Sequence, residues 1–231
     1  MREIVLDTET TGFDPETGDR LVEIGAVELM GHMPTGEQYH QYINPERSVP
    51  ESAIEVHGLK DDFLRDKPLF KHVAQDFLDF IGDSKLVIHN AVFDMKFLNA
   101  ELRWIDMPQI DYSRAIDTLV IARKKFPGSP ASLDALCRRY GIDNSARTLH
   151  GALLDSEILA EVYLELIGGR QPDLVLATGG DQNVGDAESG QAWRPTARPN
   201  PLPSRVTPEE TEAHAEFVSK LGENALWSRF S

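Results

Sequence analysis

The order of the periodicities most limits what this 231-residue chain can fold into. Extended stretches crowd its start, and helical ones fill the rest of the first 170 residues. Ile4-Val5-Leu6 is a run of buried-strand type, and Arg20 to Met30 and Gln38 to Ile43 read as two further strands. Turns are expected from Asp14-Pro15 through Gly18 and from Met33-Pro34 through Gly36. Phe70, Val73, Phe77, Leu78 and Ile81 then recur at helical spacing up to Gly82, and Leu86-Val87-Ile88 is another short strand. Helices are expected around Phe93 to Leu102 and over Leu119 to Lys125, Ser132 to Tyr140 and Ala152 to Ile167. Three strands followed by alternating helices and strands predict an α/β fold with a mixed sheet.

Composition changes near residue 170. Residues 177–206 are rich in Gly and Pro and hold only Val184, Trp193, Leu202 and Val206 as large apolar residues. Such a stretch cannot bury enough surface to offset its ordering entropy, and it reads as a flexible linker. Beyond it, Thr207-Pro208-Glu209-Glu210 is a helix start, with a capping hydroxyl, proline at the first helical position and glutamate at the third. Ala213, Phe217 and Leu221 follow every four residues, and Gly222 is the expected stop. The expected divisions are a folded domain over 1–170, a short peptide at 171–176, the linker over 177–206 and a partner-binding segment over 207–231.

The single cysteine, Cys137, excludes an internal disulfide and an all-cysteine zinc site. No apolar run approaches the roughly 20 residues that span a bilayer, and an acid at Asp7 comes too early for a signal peptide. A cytoplasmic, membrane-free setting is expected. The net charge of −15 excludes a protein that grips nucleic acid by bulk electrostatics. One stretch departs from this: from Arg103 to His150, eight basic residues (Arg103, Arg114, Arg123, Lys124, Lys125, Arg138, Arg139, Arg147) face five acidic ones. It is expected to face phosphates.

Three acidic motifs carry chemistry. Asp7 and Glu9 close the first strand, and the two-residue period puts both carboxylates on one face. Anions that close repel one another, and a divalent cation with a taste for oxygen, Mg²⁺ or Mn²⁺, resolves the repulsion. A strand ending in solvated acids is the plain alternative. Asp94 lies among apolar residues in Asn90-Ala91-Val92-Phe93-Asp94, an awkward site for an unpaired charge, although it could instead cap a helix. Asp155 falls in the first turn of an apolar helix just after His150, which could act as a base near neutral pH or simply bond at the helix entry. Asp117 and Asp134 read as caps of the helices that follow them, and His89 as a structural hydrogen bonder. His32, His40, His72 and His214 read as surface residues.

Taken together, Asp-x-Glu, then Asn-Ala-x-Phe-Asp, then His-x₄-Asp resembles the DEDD exonuclease superfamily in its histidine-containing branch. The tyrosine branch would need a tyrosine where Gly151 stands. Val56-His57-Gly58-Leu59, Ser132 to Cys137 and Arg147 to Asp155 are similar to the proofreading-subunit family of bacterial DNA polymerase III. The resemblance covers residues 1 to about 170 densely and implies a ribonuclease-H-like fold. It implies 3′→5′ exonuclease activity on single-stranded or frayed DNA 3′ ends, with two Mg²⁺ or Mn²⁺ ions. Asp7, Glu9, Asp94 and Asp155 match the metal-binding positions, and His150 the general base. Thr10, Gly12 and Phe13 would approach the terminal nucleotide, and His57 and Leu59 the last base, although packing accounts for Phe13 and Leu59 nearly as well.

The tail extends the resemblance. Gln171, Asp173, Leu174 and Leu176 form Gln-x-Asp-Leu-x-Leu, similar to the peptide by which bacterial replication proteins bind the sliding clamp. The 207–231 segment resembles a tail that binds the polymerase III catalytic (alpha) subunit, with Phe217, Leu221, Leu226 and Trp227 as anchors. The alternatives are an RNA-end or oligoribonucleotide exonuclease of the same superfamily, and a non-catalytic scaffold between polymerase and clamp. An isolated chain is expected to be a monomer.

Overall fold

Strands β1 (Arg2–Thr10), β2 (Leu21–Met30), β3 (Met33–Tyr42), β4 (Lys85–Ile88) and β5 (Ala115–Asp117) form one sheet in the order β3-β2-β1-β4-β5 in a computed structural model of the chain. The structure describes residues 1–145, 147, 149–169 and 206–221. The first three strands are antiparallel, and β4 and β5 run parallel to β1, so the sheet is mixed as expected. Helices are α1 (Glu51–His57), α2 (Asp61–Leu64), α3 (Phe70–Ile81), α4 (Ala91–Trp104), α5 (Thr118–Lys125), α6 (Leu133–Tyr140), α7 (Ala152–Leu166) and α8 (Pro208–Lys220). The short α1, α2 and β5 are additions to the sequence expectation.

Alternation along β1 divides the core. Ile4 and Leu6 pack with Phe70 and Phe77 of α3 and Phe97 of α4 on one face. Val5 packs with Leu159 and Tyr163 of α7 on the other. Both faces are therefore covered, and the strand reads as a continuous apolar run. At its C-terminal end the same alternation sends Asp7 and Glu9 to the α7 side and Thr8 to the α4 side.

The β2–β3 connection corrects one expectation. The turn is Gly31-His32, both with positive φ, and it joins Met30 directly to Met33. This geometry matches the twist of a two-residue hairpin. Pro34 and Gly36, which imitate a turn in sequence, lie inside β3. Pro34 is tolerated because β3 is an edge strand, and Gly36 lies where the β2–β3 register shifts.

The chain divides into two compact units, Met1–Leu176 and Ala177–Ser231. In the second unit, α8 opens with the expected capping box between Thr207 and Glu210, and Phe217 and Leu221 are exposed. Gln171, Asp173, Leu174, Leu176, Leu226 and Trp227 lie outside the described residues. No helix among the described residues is long and apolar enough to cross a membrane.

Candidate active site

The acids converge at the C-terminal end of β1, where α4 and α7 both begin. Asp94 and Asp155 each sit in the first turn of their helix, so two positive helix ends point at the cluster. Asp94 is buried and is not the N-cap of α4; its carboxylate accepts from the Thr8 hydroxyl at 2.7 Å. The capping falls to Asp117, which accepts from the backbone of Asn90 and Ala91 at the start of α4 and of Leu119 and Val120 in α5. Asp117 therefore fixes where α4, and with it Asp94, begins.

Helix α7 is placed by Gly25, the β2 partner of Asp7. A β-carbon at position 25 would lie 2.1 Å from the Leu153 nitrogen, so only glycine lets the first turn of α7 rest on the strand. Ser156 locks the contact by donating to the Gly25 carbonyl at 2.9 Å. This brings Asp155 to Glu9, and donor atoms of Glu9, His150 and Asp155 all lie within 4.8 Å of one another. Gly25 is absent from the sequence expectations. Its signal was a lone glycine inside a strand, which marks a close backbone approach.

Crowding shows in the protonation. Burial, then the charges of Asp94, Glu9 and Asp155, push Asp7 well above the usual carboxylate range. Burial, then Asp155, Glu23 and Asp94, push Glu9 up to about 8. Burial raises Asp94 to about 7, against the bonds from Thr8. Glu23, absent from the expectations, stands opposite Glu9 across the β1–β2 ladder and pairs with His40 at 2.7 Å. Such repulsion is what an oxygen-binding cation relieves, and carboxylates with one imidazole suit a hard divalent ion.

Arg147 is the cation among the described residues that enters the cluster. Its guanidinium grips both carboxylate oxygens of Asp155, with Nη2 to Oδ2 at 2.7 Å, and also bonds Asp134 Oδ1 at 2.9 Å and His150 Nδ1 at 2.8 Å. This corrects one expectation. Ser132, not Asp134, caps α6, while Asp134 holds Arg147 and Asn144. Several other residues of the basic stretch have partners of their own. Arg103 pairs with Glu16, Arg114 bonds the carbonyls of Gly82 and Ser84, and Lys125 bonds those at the end of α7. Arg139 lies over the Phe126 ring.

The remaining expected contacts divide. Thr10 is buried and donates to the Gly12 carbonyl. A β-carbon on Gly12 would lie 2.3 Å from the Asp19 carboxylate, so the close approach there requires glycine. Phe13 is 85% exposed at the tip of that loop. Leu59 is half-buried against the Val22, Val49 and Leu64 cluster, the packing role its alternative described. Its backbone N–H donates to Nδ1 of buried His57, whose Nε2 is buried without a hydrogen-bond partner. His57 lies next to His150, because the His150 backbone N–H bonds the Val56 carbonyl at 3.0 Å. His89 bonds Thr118, as expected, and His72 is exposed. His40 is exposed and His32 half-buried, and each also reaches a buried glutamate, Glu23 and Glu3 respectively.

The family model described as "Exonuclease" matches residues 4–163. The DNA polymerase III subunit epsilon of Rickettsia felis (strain ATCC VR-1525 / URRWXCal2) is 50% identical over 226 residues, covering 96% of this chain and 97% of that protein. Exonuclease X, solved in complex with 5′ overhanging duplex DNA, matches with a TM-score of 0.58 at 26% identity, over 71% of this chain and 90% of that one. The nuclease domain of 3′hExo, described as a DEDDh family member bound to rAMP, matches with a TM-score of 0.62 at 20% identity, over 72% of this chain and 91% of that one. The fold is the ribonuclease-H-like fold of these nucleases.

Proposed function

The chain belongs to the exonuclease family, among the DNA polymerase III epsilon subunits, and is a 3′→5′ exonuclease; on that premise we propose how its residues divide the work of proofreading. Asp7, Glu9, Asp94 and Asp155 would hold two divalent ions, Mg²⁺ or Mn²⁺. Such ions, when bound, supply Lewis-acid stabilisation of the phosphate and an activated water. His150 takes the proton from the attacking water, and a nucleoside 5′-monophosphate leaves from the DNA 3′ end. Phe13 would offer its exposed ring to a base, and His57, next to His150, would lie near the last base. Residues 171–176 would bind the sliding clamp, and 207–231, with Phe217, Leu221, Leu226 and Trp227, the polymerase III alpha subunit. A replicative role places the protein in the cytoplasm.

The observation that carries this reading is the meeting of four carboxylates and His150 at the end of one strand, three of the acids with raised proton affinity. Asp7→Ala should lower hydrolysis of a 3′-mismatched primer in Mg²⁺ by at least about a thousandfold with an unchanged circular dichroism spectrum. Near-normal hydrolysis would remove Asp7 from the metal set. Comparing matched, mismatched and RNA 3′ ends with the same enzyme reads its substrate preference.

A further inference from the structure

Arg147 stands where a metal ion would compete with it. Its side chain is only 8% exposed and that of Asp155 4%. Its Nε and Nη2 engage the two different oxygens of Asp155, a fork that leaves the carboxylate turned toward the guanidinium. A guanidinium carries only donors and keeps its charge at any ordinary pH. His150 Nδ1, 2.8 Å from Nη2, must therefore be the acceptor in that contact. One side chain thus occupies both the acid and the histidine that the reading above assigns to hydrolysis. A cation bound between Glu9 and Asp155 would share Asp155 with a second positive charge at hydrogen-bond distance, which is strongly unfavourable in a buried site.

We propose that Arg147 is the built-in counter-cation of the metal-free site, and that a divalent ion binds only as Arg147 releases Asp155 and His150 together. Asp134 is the seat it retains. Nη1 bonds Asp134 Oδ1 at 2.9 Å, and Asp134 is 44% exposed and held in place by Asn144. The guanidinium can swing away from Asp155 without losing every partner. Arg147 is then a positioning residue: it keeps the crowded acids folded without metal, and it couples metal arrival to the freeing of His150. Apparent metal affinity is reduced by the fraction of molecules in which Arg147 holds Asp155.

The proposal rests on the metal assignment above, and one set of measurements separates the two. Mn²⁺ is titrated into the full chain by calorimetry, and melting is followed in EDTA and in saturating Mn²⁺, for wild type, Arg147→Ala and Arg147→Lys. Arg147→Ala should bind Mn²⁺ about five- to tenfold more tightly. It should melt several degrees lower in EDTA, and the difference should largely close in Mn²⁺. Arg147→Lys keeps the charge but not the fork, and it too should bind more tightly than wild type. It also preserves the test if the alanine variant fails to fold in EDTA. Equal or weaker Mn²⁺ binding by both variants, with the same melting deficit in both buffers, would make Arg147 a permanent structural tie and overturn the proposal. Absence of Mn²⁺ binding by wild type would instead overturn the metal assignment, and the proposal with it.

Discussion

Glu9 and Asp94 retain protons that the same residues release in an unfolded chain, and this fixes how the metal-free protein responds to pH. Glu9 moves from 4.5 to about 8 and Asp94 from 3.8 to about 7. Where the folded state binds more protons than the unfolded one, stability falls as pH rises. The contribution of these acids is complete below their unfolded values and is lost as pH climbs through 7 and 8. Buried His57 and His89 are shifted downward and act in the opposite sense, but below 6.5. The window from about pH 7 to 9 therefore reads Glu9 together with Asp7, which is raised as well. In EDTA the melting temperature should fall across that window, and saturating Mn²⁺ should remove or reverse the slope, since metal ligands bind deprotonated. A flat profile in EDTA would show that the acids are not crowded as described. At this scale the motifs were legible: a two-residue period puts Asp7 and Glu9 on one face whatever the sheet does. The partners of Asp94, Asp134 and Arg147 were not, because each bond crosses to a different element or loop.

Among the elements, α4 and α7 decide whether the acids meet, and each is placed by a residue outside the acidic motifs. Gly25→Ala puts a methyl group into the backbone of α7. Overpacking of this kind costs about 1–3 kcal/mol, and here it also moves Asp155 away from Glu9. We expect a lower denaturation midpoint together with a loss of nuclease activity larger than the lost stability explains. Full activity in Gly25→Ala would show that α7 can shift without consequence. Asp117→Ala removes the cap shared by α4 and α5 and should cost about 2 kcal/mol, read as a lower urea midpoint. A loss under about 0.5 kcal/mol would mean that water replaces the cap. Helices α3 to α7 were legible from periodicity, while α1, α2 and the β2–β3 turn were not. Pro34 and Gly36 carry turn chemistry, but pairing across an edge strand absorbs both, and the chain turns earlier at Gly31-His32.

For the whole molecule, the charge of −15 takes a narrower meaning. Four acids meet in the candidate site, and several basic residues of 103–150 bond carbonyls, an aromatic ring and neighbouring acids. Such a chain should hold DNA weakly by itself and gain proximity through its tail, by effective concentration. Deletion from Ala177 onward should leave hydrolysis of a mismatched primer unchanged and abolish copurification with the polymerase alpha subunit. A truncated chain that still copurifies would reject the tether. Changing Gln171 and Leu174 to alanine should weaken sliding-clamp binding in a pull-down, and unchanged binding would discard that peptide. By itself the sequence determined the strand-then-helix order, the acidic motifs with His150, and the capping box of α8. All of these are set by spacing along the chain, through periods of 2 and 3.6 residues and through the local chemistry of caps. Only the tertiary structure decided that Gly25 seats α7, that Asp117 caps two helices, and that Arg147 holds Asp155 and His150. These depend on which atoms meet in space, some across a gap as long as 131 residues, and spacing along a chain carries no record of that.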